Sequence, residues 1–417
     1  MVSMNIQIVC TGTELLLGHT LNSNLQFLGR TLDGDGYAVA REVCVPDGGE
    51  AIAGAVREAL VQADLVITVG GLGPTSDDLT RDAVARELGV DLQFDPKVHE
   101  AILAYLGGRT VKVPPEALRV QAMVPAGAEP LLNRNGTAPG LWCHAPGGKI
   151  VVMLPGPPSE LQPMFQHDVL PRIRTLAPPT VARRSLTVCG IPESAAADRV
   201  EALLRDSFPG LEPAYCARPH QVDIRLSAGA ADQPRLEEAM RRLAREFGPA
   251  ALPPGTSDLP TALGTLLLAH NLWLAVAESC TGGWIGKTIT DIPGSSAWFC
   301  GGVVSYSNDW KQGLLDVPEH LLEKAGAVSA ECVGAMLEAL FQRYEADAGI
   351  AVTGIAGPGG GTAEKPTGLV YIATGVRAQR QIERFLFPGD RDGVRQRAVT
   401  AALDQLRRQL LREFHEP

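Results

Sequence analysis

The sequence has no CxxC pair and no zinc-type cysteine spacing. Its eight cysteines, Cys10, Cys44, Cys143, Cys189, Cys216, Cys280, Cys300 and Cys332, are scattered over 417 residues. That pattern argues against a zinc site and predicts reduced, mostly buried thiols in a cytosolic protein. A basic excess is also missing. Lys and Arg number 37 against 47 Asp and Glu, for a formal charge of −10. A general nucleic-acid binder is therefore not expected, because phosphate affinity is built from lysine and arginine. No long apolar run is present either. The most apolar window, Leu259 to Ala277, contains Gly264 and is interrupted by His270 and Asn271, so no membrane span is expected. The opening MVSMNIQIVC has no basic region and no long apolar stretch, and it does not read as a signal peptide.

What remains is an ordinary globular composition, 45% hydrophobic and 20% charged, in a chain longer than one core usually supports. Two proline-rich stretches, Ala177-Pro178-Pro179 and Leu252-Pro253-Pro254-Gly255, read as boundaries. They divide the chain into residues 1–175, 176–252 and 253–417.

The first segment alternates strands and helices. Ile6 to Cys10, Tyr37 to Val45 and Asp64 to Val69 read as strands, with helical patterns at Asn22 to Leu32 and Ala51 to Gln62. Such alternation predicts parallel pairing in a doubly wound sheet. The strand at Val69 opens into GGLGPTSDDLTRDAV. Gly70, Gly71 and Gly73 would let backbone N–H groups approach an anion, with a helix N-terminus behind them. The third glycine of a dinucleotide fingerprint is missing. The plain alternative is a glycine-rich turn with Asp77 or Asp78 as helix cap. Two adjacent carboxylates beside a phosphate loop favour a metal–phosphate site.

The middle segment reads as strand, helix, strand or loop, strand, helix from Arg183 to Phe247. Its last helix, from Arg235, is basic but alternates with Glu237, Glu238 and Glu246, which suits solvated ion pairing.

The third segment carries the strongest chemical signal. An apolar strand, Leu272 to Ala277, runs into AESCTGG (Ala277 to Gly283) and then a helical pattern from Trp284 to Ile289. A strand ending in hydroxyls and glycines at the mouth of a helix is where open α/β sheets place their chemistry. Strand alternation sets Ser279 and Thr281 on one face and Cys280 on the other, which makes Ser279 the candidate nucleophile. TGGWIGKT (Thr281 to Thr288) is not a Walker A loop, because threonine stands where its first glycine should be. The histidines here, His270, His320 and His415, lie outside the suspected loops, so a Ser–His–Asp triad is not expected. Lys311 is the available base, since a desolvated lysine can lose its charge near neutral pH. Tyr306, five residues earlier, would relay the proton or orient the base. Each has an ordinary alternative: a helix cap for Ser279, a surface lysine opening a helix for Lys311, a half-buried strand aromatic for Tyr306. The glycine-rich run Gly354 to Gly361 lies between two apolar strands, Ala348 to Val352 and Leu369 to Thr374. That placement favours an anion-binding or oxyanion-stabilising loop over a linker. A terminal helix from about Asp392 closes the segment.

These motifs carry a resemblance. GGLGPTSDD with its following LT, the VPD ending at Asp47, and LPGPPSE (Leu154 to Glu160) resemble the molybdopterin-binding family, and more closely the N-terminal domain of CinA proteins. The middle segment resembles their KH-like insert, although the GxxG loop of a nucleic-acid-binding KH domain is missing. AESCTGG, YSNxxK and TGIAGPGGGxxEKPxG match the CinA C-terminal domain, the nicotinamide mononucleotide deamidases. The resemblance covers nearly the whole chain. It implies an α/β protein with two doubly wound α/β domains joined by a small α+β KH-like domain.

For the first domain it implies metal-dependent cleavage of ADP-ribose. Asp47 and Asp78 would be metal or catalytic carboxylates, Gly71, Gly73 and Thr75 the phosphate cradle, and Glu14 and Glu160 lie in matching loops. For the third domain it implies deamidation of nicotinamide mononucleotide without a cofactor, with Ser279 as nucleophile and Tyr306 and Lys311 as its activating pair. Thr281, Gly282, Gly283, Asn308, Thr353, Gly354, Gly357, Gly359 and Gly360 would line the substrate, and Lys365 or Arg391 would meet its 5′-phosphate. The expected partners are small nucleotides and a second copy of the chain, with the middle domain structural or dimer-forming. A binding or regulatory protein tied to competence or DNA damage, with a pterin- or nucleotide-binding first domain, is the reading from another class. A molybdopterin adenylyltransferase is a third.

Overall fold

The computed structural model describes residues 4–107, 113–256 and 258–414. Met1 to Ser3 of the opening segment and His415 lie outside the described residues. The chain divides into two compact units, residues 1–183 with 228–233, and residues 184–227 with 234–417.

The first unit holds a six-stranded sheet. In chain order its strands are β1 (Ile6–Thr11), β2 (Val39–Val45) and β3 (Leu65–Val69). A small separate pair follows, β4 (Leu92–Phe94) with β5 (Met123–Pro125), and then β6 (Glu129–Leu131), β7 (Gly140–Ala145) and β8 (Lys149–Leu154). The sheet order is β2-β1-β3-β8-β7-β6. β2, β1, β3 and β8 run parallel, whereas β7 and β6 pair antiparallel. The parallel pairing expected from strand–helix alternation therefore holds for β1, β2 and β3, joined by helices, and for β8 beside β3, and it stops at the hairpin-connected β7 and β6. Side chains alternate between two cores: Val9, Val66, Val151 and Met153 face one, and Ile8, Ile67, Val152 and Leu154 face the other. Both faces are covered, as a doubly wound sheet requires.

The middle segment is β9 (Val181–Cys189), a helix Glu193–Ser207, β10 (Glu212–Arg218), β11 (Gln221–Gly229) and a helix Gln233–Phe247. Its sheet order is β10-β11-β9. Most of this segment packs as one unit with the C-terminal domain. The tie is polar: buried Arg407, paired with buried Asp404, donates to the carbonyls of Pro249 and Ala251, and Arg408 donates to the Cys189 carbonyl.

The C-terminal domain is built on β12 (Leu274–Glu278), β13 (Phe299–Val304), β14 (Ala348–Gly354), β15 (Leu369–Val376) and β16 (Gln379–Leu386), in the order β13-β12-β14-β15-β16. The first three are parallel, and β15 and β16 are antiparallel. β16, QRQIERFL, was not foreseen: as an edge strand it mixes charged and apolar residues at both exposed and half-buried positions and has no continuous apolar run. Leu274, Val276, Ile350 and Val352 face the core under helices Leu259–Ala269 and Arg391–Glu413. Ala275, Ala277, Ala351 and Ala373 face the other side, where their small size lets helix Ala330–Gln342 approach the sheet.

Candidate active site

β12 ends at Glu278, and the chain turns through Ser279–Gly283 into helix Trp284–Thr290. Gly283, at φ 90°, occupies the left-handed region that lets so tight a turn enter the helix. Glu278, missed by the sequence reading, holds this turn. Its buried carboxylate accepts from the backbone N–H groups of Gly283 (3.0 Å), Ile285 (3.1 Å) and Gly286 (2.9 Å). It therefore caps the helix in the place of Ser279, whose alternative reading as a cap is set aside. A glutamate closing an apolar strand one residue before the candidate nucleophile was the available signal. Cys280 is buried as expected, but Thr281 is buried too. The chain has left the strand by then, so alternation no longer applies.

Lys311 meets Ser279 from the next parallel strand. β13 ends at Val304, Ser307 caps the short helix Asn308–Leu315, and Lys311 turns inward with only 1% of its surface exposed. Its Nζ donates to Ser279 Oγ (3.1 Å), the Ser305 carbonyl (2.8 Å) and the Tyr306 carbonyl (3.3 Å). Burial pulls the Lys311 ammonium below the usual lysine range, against a smaller opposing effect of the Cys332 and Cys280 thiols. The surface-lysine alternative is excluded by this burial.

The Tyr306 phenol is elsewhere. The residue is 62% exposed, and its hydroxyl accepts from Arg391 Nη2 at 3.2 Å. Lys311 is oriented by main-chain carbonyls, so the orienting role expected of the Tyr306 ring passes to its backbone and to that of Ser305. Asn308 opens the Lys311 helix and is exposed. Arg391, first residue of the last helix, also donates to the Gly357 carbonyl (2.8 Å) and so joins Tyr306 to the glycine loop. Arg395, one turn on and absent from the sequence reading, donates to the carbonyls of Cys280 (3.2 Å) and Thr281 (2.8 Å) and lies over the Trp284 ring. Between the glycine loop and the start of this helix is a cleft of about 440 Å³, lined by Ala356, Pro358, Thr367, Asp390, Arg391 and Arg395 among others.

The glycine run is explained in part by packing. A Cβ at Gly357 would lie 2.5 Å from the Thr367 methyl, one at Gly361 2.8 Å from the Thr367 nitrogen, and one at Gly354 2.8 Å from the Leu369 carbonyl. These three are small because the loop folds onto its own return. Gly360 has a φ of 84°, which itself favours glycine, whereas Gly359 faces open space without such a backbone demand; close approach of a ligand concerns Gly359. Thr353 and Lys365 are committed to structure: Thr353 Oγ1 donates to the Ala327 carbonyl (2.7 Å) and Lys365 Nζ to the Ala325 carbonyl (2.6 Å). Of the two cations considered for a phosphate, Arg391 lines the cleft and Lys365 does not.

In the first unit, Glu14, Asp47, Asp78 and Glu160 all follow the carboxyl ends of parallel strands, β1, β2, β3 and β8 respectively. Asp47 Oδ2 accepts from the Thr13 backbone at 2.8 Å. Asp78 Oδ2 accepts from the Thr75 backbone (2.9 Å) and hydroxyl, and it fills the space a Cβ on Gly73 would need. Gly71 is likewise pressed against Thr80. Neither Asp77 nor Asp78 caps the following helix, Thr80–Leu88, whose cap position is Leu79. Glu160 is half-buried under the Asn133–Gly136 loop, accepts from Asn133 (2.6 Å), and has its carboxyl pKa raised by burial. Among the described residues no three His, Cys, Asp or Glu side chains gather as a cation set. Asp47 and Asp78, at the ends of β2 and β3 on either side of β1, are oxygen donors of the kind that suits a hard cation whose remaining ligands are waters and substrate phosphates.

Three family models match the chain in series: a probable molybdopterin binding domain over residues 7–175, the damage-inducible protein CinA KH domain over 183–247, and the CinA C-terminal domain over 256–410. A CinA-like protein of Akkermansia muciniphila is 43% identical over 99% of this chain and 100% of its own length. A putative competence-damage inducible protein of Symbiobacterium thermophilum is 42% identical over 98% and 99%. Among solved structures, a CinA protein of Thermoplasma acidophilum is 39% identical over 39% of this chain and 95% of its own, with a TM-score of 0.37. Described residues include no helix long and apolar enough to cross a membrane. With three domain models in order and full-length relatives above 40% identity, the chain belongs to the CinA family.

Proposed function

We propose that the C-terminal site hydrolyses the carboxamide of nicotinamide mononucleotide to nicotinate mononucleotide and ammonia, with Ser279 as nucleophile and Lys311 as general base. The observation that carries this reading is the 3.1 Å contact between Lys311 Nζ and Ser279 Oγ, both buried. A neutral lysine amine has two protons and one lone pair. With the protons given to the Ser305 and Tyr306 carbonyls, the lone pair faces the Ser279 hydroxyl. Ser279 Oγ attacks the carboxamide carbon as its proton passes to Lys311. The tetrahedral intermediate collapses, the C–N bond breaks, and Lys311 returns the proton to the departing ammonia. Water then attacks the acyl-serine ester, gives a proton to Lys311, and releases the carboxylate as Ser279 regains its hydroxyl. Arg391, at the mouth of the cleft, supplies a cation for the substrate's phosphate. The substrate's identity rests on family resemblance, and the Ser–Lys chemistry on the geometry.

For the first unit we propose hydrolysis of the pyrophosphate bond of ADP-ribose. Asp47 and Asp78 would hold a divalent cation, which when bound supplies charge neutralisation at the phosphates. The strand-end placement of both carboxylates supports this reading.

The test is ammonia release from nicotinamide mononucleotide by wild type beside Ser279→Ala. Release by wild type alone supports the reading. Equal release by the variant removes Ser279 from the mechanism. No release by either folded protein favours a binding or regulatory role.

A further inference from the structure

The turn that bears Ser279 is held from two sides. Glu278 takes its N–H groups, accepting from Gly283, Ile285 and Gly286. The carbonyls of Cys280 and Thr281 are taken by one side chain, Arg395, which donates from Nε to Cys280 (3.2 Å) and from Nη2 to Thr281 (2.8 Å). Trp284 N also reaches the Thr281 carbonyl, at 3.3 Å, but the Cys280 carbonyl has no second donor among the described residues. Cys280 and Thr281 are 6% and 0% exposed, so water is a poor substitute for the guanidinium.

The mount is rigid where the turn is not. Arg395 stands on helix Arg391–Glu413 between Val394 and Ala398, both fully buried in the domain core. Its guanidinium lies over the Trp284 ring, 5.0 Å from the centroid, a contact that steadies the plane of the fork. The turn itself contains two successive glycines, Gly282 and Gly283, with φ of 61° and 90°. It therefore owes its shape to these hydrogen bonds more than to its own side chains. If the two carbonyls lose the fork, the turn relaxes toward other partners, and Ser279, bonded to Cys280, moves with it.

We propose that Arg395 is a positioning residue for the nucleophile: by bridging the Cys280 and Thr281 carbonyls it keeps Ser279 Oγ within reach of Lys311, without holding substrate or moving a proton. The proposal rests on Ser279 being the nucleophile, but not on the identity of the substrate. Arg395 also lines the cleft beside the glycine loop, and the two roles part in kinetics. A substrate ligand acts on KM, whereas a brace on the nucleophile acts on kcat, because a displaced hydroxyl leaves ground-state binding intact and lengthens the path of attack. The two roles also part in chemistry. A lysine in place of Arg395 keeps the charge a ligand needs and loses the fork that spans two carbonyls.

The experiment compares full-length wild type, Arg395→Lys, Arg395→Gln and Trp284→Leu, with circular dichroism reporting the fold of each. Two rates are measured: ammonia release from nicotinamide mononucleotide, and labelling of Ser279 by an alkyl fluorophosphonate, located by peptide mass spectrometry. Both Arg395 variants should lose about tenfold to a hundredfold in kcat, with KM changed by no more than about threefold. Arg395→Lys should fare little better than Arg395→Gln, and labelling should slow alongside kcat. Trp284→Leu keeps the guanidinium and removes the ring beneath it, so it should lose less, again in kcat; it decides the matter if the Arg395 variants do not fold. The proposal is overturned if the loss is confined to KM, if Arg395→Lys restores kcat, or if kcat and labelling are unchanged in the folded variants. Labelling that slows in the variants while wild type releases no ammonia strikes the substrate alone and upholds the brace. Wild type labelled at another residue, or neither labelled nor active, removes the nucleophile and the proposal with it.

Discussion

The two candidate sites of this chain sit at the same place in their sheets, yet they are built differently. At the C-terminal site the reactive pair is inside the protein. Lys311 is 1% exposed and Ser279 7%, and every hydrogen bond of the amine is to Ser279 or a main-chain carbonyl. In the first unit Asp47 and Asp78 are partly exposed, Asp47 accepting from Thr13 beyond the adjacent strand β1 and Asp78 from Thr75 of its own loop. One site has its electrostatics assembled before substrate arrives; the other, on the proposed reading, would need a ligand and a cation to complete it. A prebuilt site should fail abruptly when one atom is removed and be indifferent to chelators, while a ligand-completed site should respond to both.

Ser279→Ala is the sharpest way to break the first half of that comparison. It removes one oxygen from a buried turn held independently by Glu278, so the fold should persist. Turnover should fall by about 10³-fold or more, the scale seen when a covalent nucleophile is deleted. The second half is tested by Asp78→Ala and by a chelator. Each should abolish ADP-ribose cleavage while leaving ammonia release at the C-terminal site untouched. Cleavage that survives chelation would remove the cation from the first unit. Cleavage lost with either change, together with loss of ammonia release, would mean that the sites are not independent.

Lys311 sharpens the comparison through pH. Its ammonium is destabilised by burial, so the folded pKa lies below that of an exposed lysine. The general-base reading requires the neutral amine. Ammonia release should therefore rise with pH through that lowered pKa, and Lys311→Arg, which keeps a cation that cannot deprotonate, should lose about 10²–10⁴-fold in kcat with a smaller change in KM. A change confined to KM would make Lys311 a phosphate ligand. The sign for stability follows from the same shift. Between the folded and unfolded pKa values the unfolded chain binds the extra proton, so this residue's penalty eases as pH rises and is gone above the usual lysine range.

Glu278→Gln separates a prebuilt site from a merely folded one. The buried carboxylate accepts three N–H groups, and an amide must turn its NH₂ toward at least one of them. A loss of roughly 1–3 kcal/mol in stability is expected, along with a fall in kcat larger than any rise in KM, because Ser279 loses its fixed position. Thermal unfolding beside steady-state kinetics measures both. A destabilised variant with unchanged kcat would make Glu278 a cap and nothing more.

How far the sequence announces this architecture differs by element. Strands buried on both faces, such as IQIVCT and LVITV, stand out as apolar runs between turns, and their helices follow from periodicity. The edge strand β16 does not, because charged and apolar residues mixed at exposed and half-buried positions look like loop or helix. In the site, AESCTGG and YSNDWK are recognisable as motifs, but the inward turn of Lys311 is decided by a helix that begins at Asn308 and by how β13 sits beside β12. Glu278 and Arg395 were invisible for another reason. A glutamate at a strand end and an arginine one turn into an amphipathic helix are common anywhere; only the fold aims them at main-chain atoms of the nucleophile's turn.

The glycine loop holds the smallest and most discriminating effect. Gly357→Ala should be disruptive whatever the loop binds, because its φ is 84° and the new methyl would meet Thr367 at 2.5 Å. Gly359→Ala has open space and no such backbone demand, so its stability should stay within about ±0.5 kcal/mol of wild type. If a substrate group is held against the main chain there, the same methyl stands between them and KM for nicotinamide mononucleotide rises with the melting temperature unchanged. If KM is also unchanged, the run is glycine-rich only because it packs on its own return, and the anion is held by Arg391 without the loop.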